Sequence, residues 1–554
     1  MADFLRSTRW DQLMHNEPLA VALGLLSHYA LNNGEWDHSS HLFVVFSPLV
    51  FCALVVTEYA LDPQVMSVVA ALQVTATIVA VYLGTLISSI LIYRAFFHRL
   101  RKYPGAFGAR LSKLHSLRHV VPSCQYYIEV EGLHRKYNSD IIRTGPRELS
   151  VTNADAIPLI HGPTSKCRKS AWYGGAAFLE GTSLQTTRSK KEHRERRKIW
   201  EHAFNAKALR EYEPRLNRHA LALMEKLKEH AHEPRLRISN WLNFYSFDVM
   251  GDVGFSRSFG MVEKGEEDEL IKSLHASMAP LSYTNHALWL LGIVLRTSFG
   301  VKDLLNFMKW TSKVLNERKK ITPNERDIFG HLMNPESEEI PKHLNADSRL
   351  LIVAGSDTTA ATLTWLTYEL CTNTTAQLKL RDIIDTISPS KSFLDAEDLA
   401  NCPHLDGVIN EALRLHPAVP SGVSRETPPE GLTLPDQRYI PGETIIWMPI
   451  HTIHRDPRYF PSPTEFMPER WTDEMPEFVR EKRAFMPFGT GAYNCIGQKL
   501  AMMEMRTVAA NLVRLFDVGF VEGEAGEKVV RETRDCFTLN VGALDVRLTP
   551  RRWE

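Results

Sequence analysis

The chain is 554 residues long, with 65 Lys+Arg against 65 Asp+Glu, 44% apolar and 23% charged residues. That length suits one large domain or two to four ordinary ones, and the composition reads as globular, not disordered. The charge balance excludes a nucleic-acid binder driven by bulk positive charge, and seven scattered cysteines without a CxxC pair exclude a disulfide framework or a zinc ribbon.

Residues 1–102 read as a membrane anchor. The run 65–93 holds no charged residue; as a helix it would be ~44 Å long, against a hydrocarbon core of ~30 Å. A second apolar run, 42–61, carries Glu58 near its end, where a carboxylate costs less than the roughly 2.5–3.5 kcal/mol of mid-bilayer. A third, weaker run at 19–31 is interrupted by His28, so either two or three segments cross. The alternative for each run is a buried helix of a soluble protein. A cleaved secretory signal is excluded, because the runs are too long and start too far from Met1. Asp62-Pro63-Gln64 fits the turn of a membrane hairpin. Arg94, Arg99, Arg101 and Lys102 place the rest of the chain in the cytosol by the positive-inside rule. Tyr103-Pro104-Gly105 breaks the helix and opens the soluble part, 103–554.

That part has no linker, repeat or low-complexity tract. Periodicity predicts amphipathic helices over Ala206–His230, Ser348–Leu370 and Leu500–Leu515, the second preceded by a charged loop, Pro323–Asn345. Strand-forming stretches are few: Ile141–Val151 with a turn at Gly145-Pro146, Tyr439–Met448 with a turn at Pro441-Gly442, and a β-rich end piece in the last forty or so residues. The expected fold is mainly α with small β-sheets, a single domain behind N-terminal transmembrane helices.

The segment 485–497 brings Cys495 to the head of the helix that starts near Gln498. Its glycines permit positive φ and close backbone approach to a flat ligand. Backbone N–H groups and the helix N-terminus stabilise a thiolate there, and a thiolate so placed can be an axial ligand of haem iron. The alternative is a loop with a buried structural cysteine. Gly489-x-Gly491 lacks the third glycine and the preceding strand of a dinucleotide loop. Phe488, Gly491, Cys495 and Gly497, at these offsets, resemble the cytochrome P450 family of haem-thiolate monooxygenases. Tyr493 stands where the family has a basic residue that holds a haem propionate; a phenol donates one hydrogen bond and brings no charge.

Three further segments support the resemblance. The run 354–359, Ala-Gly-Ser-Asp-Thr-Thr, is a poor helix interior. It resembles the family's oxygen-activation motif, which implies that Gly355 leaves room for O2, Asp357 relays protons and Thr358 donates to bound oxygen. Glu411 and Arg414, at i,i+3, share one helix face and alone would read as a surface pair. With the later Phe466–Trp471 segment, the resemblance implies that Glu411, Arg414 and Arg470 form a buried network fixing the cysteine loop; His454-Arg455-Asp456-Pro457 is also as the family has it. His193 and Arg197 resemble the family's Trp-three-residues-Arg helix, which implies propionate contacts. The alternative there is a solvated basic face for a redox partner. Arg425 matches another propionate-binding arginine.

The resemblance runs from about Leu100 onward, and 102–105 and 143–146 look most like fungal members. It implies haem b as cofactor, and O2 and a lipophilic small molecule as substrates. The reaction would be hydroxylation, epoxidation or multistep oxidation of, for example, a fungal terpenoid, polyketide or indole alkaloid. Ile352, Ala354, Val419, Ser421, Val423 and Phe537 would line the pocket. The chain carries no NAD(P)H or flavin motif, so NADPH and flavins enter only through a partner flavoprotein reductase in the same endoplasmic reticulum membrane. Lys499, Arg194 and Arg196 are candidate docking contacts. The rivals are a haem-thiolate isomerase or peroxide-using enzyme, against which Asp357 and Thr358 argue, and a non-catalytic haem-binding membrane protein, which would need no oxygen groove at Gly355. A transporter is excluded by too few, uncharged spans.

Overall fold

The computed structural model describes residues 2–61, 64, 66–176, 181–295, 302–333 and 342–551. Three long helices come first: α1 (Ala2–Leu31), α2 (Ser40–Leu61) and α3 (Val68–Ile92). Helices α2 and α3 are long and apolar enough to cross a membrane. Phe43, Val45, Leu49 and Val56 of α2 point outward, an apolar surface that lipid accommodates and water does not. The weaker run 19–31 lies in α1, which packs along α3: the Tyr82 hydroxyl donates to Ser27 Oγ at 2.9 Å, and His28 Nδ1 lies 2.6 Å from Ser89 Oγ. Asp62 and Pro63 of the expected hairpin turn, and Val65, lie outside the described residues. The loop between α1 and α2 is clamped to the rest of the chain by Arg188, which donates twice to the Glu35 carboxylate, at 2.7 Å each.

A five-stranded sheet, in the order β1-β2-β8-β5-β3, lies beyond the anchor. Its strands are β1 (Ile141–Gly145), β2 (Glu148–Val151), β3 (Arg168–Lys169), β5 (Arg425–Glu426) and β8 (Ile445–Trp447). The expected stretch 141–151 is the β1–β2 hairpin. The stretch 439–448 splits: β7 (Tyr439–Ile440) pairs with β6 (Leu432–Thr433), whereas β8 sits between β2 and β5. Gly442 makes the crossing possible, since a Cβ there would stand 2.0 Å from the Pro429 carbonyl oxygen. The β-rich end piece is present as β9 (Phe516–Phe520) and β12 (Asp545–Pro550) with β4 (Leu236–Arg237), and as the hairpin of β10 (Arg534–Cys536) and β11 (Thr538–Asn540).

The remaining mass is helical. Helices α4 (Lys190–Ala203), α5 (Ala206–His230), α6 (Ile238–Phe255), α7 (Glu269–Asn285), α8 (Lys342–Thr372), α9 (Pro403–Leu415) and α10 (Gln498–Leu515) carry the site. Helix α5 matches its expected bounds. Asn205 caps it by accepting from the N–H groups of Lys207 and Ala208, and Leu209, Leu216, Leu223 and Leu227 bury one stripe. Helix α8 starts at Lys342 instead of Ser348, so the expected loop Pro323–Asn345 ends in helix and holds a short one, Ile328–Leu332; residues 334–341 of it lie outside the described residues. The polar run at 354–359 stays helical. Thr358, Thr359, Thr362 and Thr364 each donate to the carbonyl four residues back, which satisfies the hydroxyls inside a buried helix. The main core joins α5, α6, α8, α9 and α10.

Candidate active site

The cysteine loop is held by its own backbone. Cys495 N–H donates to Phe488 O at 2.8 Å, closing a turn through Gly489 (φ +67°) and Gly491 (φ +71°). A Cβ on Gly491 would stand 1.9 Å from the carbonyl oxygen of His161, so only glycine fits that approach. Gly497 precedes α10, and the N–H groups of Gly497 and Gln498 donate to Cys495 Sγ. Cys495 is exposed, yet burial is the largest influence on its thiol and pushes its pKa up, against the pull of Gly497 N–H, the Arg197 charge and Gln498 N–H. Both observations fit a sulfur that opens into an internal cleft. Coordination by a cation would deprotonate it there.

Tyr493 is surrounded by basic side chains from three other elements. Lys169 Nζ on β3 lies 4.7 Å from its ring centroid, Arg425 on β5 lies 4.9 Å from it, and the buried His193 ring of α4 meets it edge-on at 4.5 Å. Among the described residues, neither Lys169 nor Arg425 has a carboxylate partner. Lys169 donates to the carbonyls of Leu184 (3.2 Å) and Gln185 (2.6 Å). Arg425 donates to Ser424 O (2.9 Å) and to the Tyr173 hydroxyl (3.4 Å), and its buried Nε has no partner. Burial, with the charges of Arg425 and Arg196, pulls Lys169 down to about 7; burial, with Lys169 and Arg197, holds His193 at about 3 and therefore neutral. Buried cations without anions are costly, so this cluster is matched to an anionic ligand. Arg197 braces the loop by donating to Asn494 O (2.7 Å) and Oδ1 (2.9 Å) and to Glu201 Oε1 (3.2 Å), which leaves two guanidinium N–H groups free to donate.

Glu411, Arg414 and Arg470 do form one buried network. Glu411 accepts from Arg414 Nε (2.9 Å) and Nη2 (2.8 Å), Arg470 Nε (3.0 Å), Trp471 Nε1 (2.9 Å) and Met467 N (3.0 Å). Arg414 also donates to His454 O, and His454 Nε2 accepts from Met486 N at 3.1 Å. The network therefore reaches the cysteine loop through one histidine, kept neutral by burial and by the charge of Arg414.

On α8, Ala354 is exposed and Thr358 half-buried in the middle of an otherwise buried helix. The Thr358 hydroxyl donates to Ala354 O at 2.8 Å. Asp357 is buried, and its Oδ2 has no hydrogen-bond partner.

Three expectations are corrected. The space left by Gly355 belongs to helix packing, because a Cβ there would stand 2.6 Å from Met250 Sδ on α6; the exposed residue of that turn is Ala354. Arg196 is no docking contact: it is buried in a bidentate pair with Asp347 at 2.7 and 2.8 Å, whereas Arg194 and Lys499 are exposed. Ile352 is fully buried in the core, whereas Ser421 and Phe537 border a cleft of about 730 Å³ with Trp172 and Asp535. Sequence reasoning missed Lys169, which only the pairing of β3 with β5 brings beside Arg425.

An exposed sulfur in a glycine loop, beside cations lacking carboxylate partners, fits a flat metal macrocycle with acidic side groups. The cytochrome P450 family model matches residues 156–541. Cytochrome P450 monooxygenase FCK2 of Fusarium pseudograminearum (strain CS3096) is 35% identical over 545 residues, 97% of this chain and 98% of that protein. Tryprostatin B 6-hydroxylase of Neosartorya fischeri is 35% identical over 484 residues, 86% of this chain and 87% of that one. The crystal structure of the cytochrome P450DA haem domain aligns with a TM-score of 0.65 at 18% identity, over 78% of this chain and 94% of that one, and so shares the fold. The chain belongs to the cytochrome P450 family, monooxygenases that carry haem b and take electrons from NADPH through a reductase.

Proposed function

We propose that this monooxygenase inserts one atom of O2 into a lipophilic fungal secondary metabolite, with residues 1–102 anchoring a catalytic part, 103–554, on the cytosolic face of the endoplasmic reticulum. Bound haem supplies the activation of O2; the residues of the chain hold it and ration water and protons. In this reading Cys495 would bind the haem iron, its sulfur steadied by the N–H groups of Gly497 and Gln498. Arg197, Arg425, Lys169 and neutral His193 would hold the propionates, Lys169 supplying the charge that Tyr493 does not bring. Phe488, Gly491 and Gly497 shape the loop, and Glu411, Arg414 and Arg470 fix it. Thr358 and Asp357 would handle protons. Ser421, Phe537 and Trp172 meet the substrate; Trp172 and Phe537 stack at 4.8 Å, a surface suited to a planar apolar molecule. Arg194 and Lys499 remain as exposed docking cations for the flavoprotein reductase.

The observation that carries the reading is Cys495 exposed at the end of a loop that a buried ion network holds in place. The test is turnover of the full chain in membranes with an NADPH-dependent reductase under 18O2, against a panel of terpenoids, polyketides and indole alkaloids. Product carrying one 18O, dependent on NADPH, is expected. Turnover with peroxide alone, or rearrangement without O2 uptake, would replace it by a peroxide-using or isomerase reading.

A further inference from the structure

Asp357 is tied to a second and a third titratable group. Its Oδ1 lies 3.2 Å from Nε2 of His275 on α7, and His275 Nδ1 lies 2.6 Å from Oε1 of Glu267, just before that helix. With a carboxylate at each ring nitrogen, both nitrogens donate and the imidazole carries two protons. Burial alone would depress this histidine; the hydrogen bonds and charges of Asp357 and Glu267 outweigh it and push the pKa up to about 10. The edge-on neighbour from α6 is the uncharged Phe247, with ring centroids 5.8 Å apart, so these two carboxylates are the charged groups that reach the ring.

Two further features show what the clamp leaves open. Asp357 Oδ2 is buried without a partner, and an unsatisfied buried acceptor is costly to keep. A cleft of about 650 Å³ reaches both Asp357 and His275, and it is lined by polar groups including Ser239, Asn240, Asn243 and Glu267. Polar clefts of this kind hold water.

We propose that His275 is a positioning residue for proton delivery: held by Glu267 at one nitrogen, it engages Oδ1 of Asp357 and so leaves Oδ2 as the oxygen that takes protons from cleft water to Thr358. In each step an O–H bond of the hydrated proton breaks and one forms at Asp357 Oδ2. The proton then moves to the Thr358 hydroxyl as that hydroxyl gives its own to the O2-derived oxygen that leaves as water, and the carboxylate is restored. Two such protons per O2 are those the monooxygenase reaction already consumes. The proposal rests on the monooxygenase reading.

The test uses the haem-loaded full chain as wild type, His275→Phe and Glu267→Gln, each first checked for an unchanged carbon-monoxide spectrum, which fails if the monooxygenase reading itself fails. In His275→Phe, product formed per NADPH should drop at least about tenfold, hydrogen peroxide should rise, and the solvent isotope effect on product formation should grow. Unchanged product yield and isotope effect with an intact spectrum would overturn the proposal. If His275→Phe does not fold, the decision passes to resting enzyme, where hydrogen exchange at the ring carbon of His275 is followed by mass spectrometry against pH. A midpoint near 10 that falls by a unit or more in Glu267→Gln supports the clamp; a midpoint near ~6.5 in both proteins, the ordinary histidine value, overturns it.

Discussion

Glu411 on α9 and Asp357 on α8 are both buried carboxylates, and the fold treats them in opposite ways. Glu411 accepts from two arginines, a tryptophan and a backbone N–H, with both oxygens used. Asp357 has one oxygen clamped by His275 and the other without a partner, beside a polar cleft. A saturated buried network rigidifies what it touches, and here it touches the loop that carries Cys495 through His454 and Met486. An incompletely satisfied one is retained at a cost, and Asp357 sits next in sequence to the half-buried Thr358. The contrast separates scaffold from chemistry within a single core.

The sharpest way to break the contrast is Glu411→Ala. It strands two buried guanidinium groups, at a cost of about 3–5 kcal/mol. Little folded, haem-loaded protein should be recovered, by haem content per chain and thermal melting; normal recovery would deny the network its scaffolding part. Next come the cations around Tyr493. Lys169→Met and Arg425→Ala should each speed haem loss to a scavenger by ~10- to 100-fold, from charged hydrogen bonds worth roughly 1.5–3 kcal/mol, while leaving the fold intact. Equal retention in both variants would mean that the cluster serves something other than propionates.

The clamp on Asp357 makes a signed prediction. The folded-state pKa of His275, about 10, lies above the ordinary value of ~6.5. Its stabilisation is therefore fully present below about 6.5 and is lost as pH rises toward 10. The Tm difference between wild type and Glu267→Gln should shrink across that window, and a constant difference would contradict the ion pairing. The smallest effect is at Gly355. Gly355→Ala should cost about 1 kcal/mol by crowding Met250, and Met250→Ala in the same chain should relieve part of it, both read by thermal melting. No relief would show that the glycine answers to something other than α6.

How much of the site is legible in the sequence depends on distance along the chain. The cysteine loop and helix α5 are local patterns whose spacing sets their geometry; spacing also puts Glu411 and Arg414 on one helix face, but their burial was legible only through the family resemblance. Lys169 and His275 were invisible because their partners lie far away: Lys169 reaches Tyr493 through strand pairing, and His275 meets Asp357 across a gap of 82 residues. Gly355 and Arg196 were misread for a related reason. Motif membership names the residue, but the direction it faces depends on the helix packed against it, Met250 of α6 for one and Asp347 of α8 for the other. The polar run at 354–359 reads as a weak helix, and burial in the core keeps it helical with its threonines bonded backward.

Every role assigned to the site turns on the sulfur of Cys495. The most direct measurement is the reduced, carbon-monoxide-bound difference spectrum of the purified full chain beside Cys495→Ala. A strongly red-shifted Soret band in the wild type that vanishes in the variant is the predicted result. A haem spectrum without that band, or one unchanged by the substitution, would contradict thiolate ligation and with it the monooxygenase site.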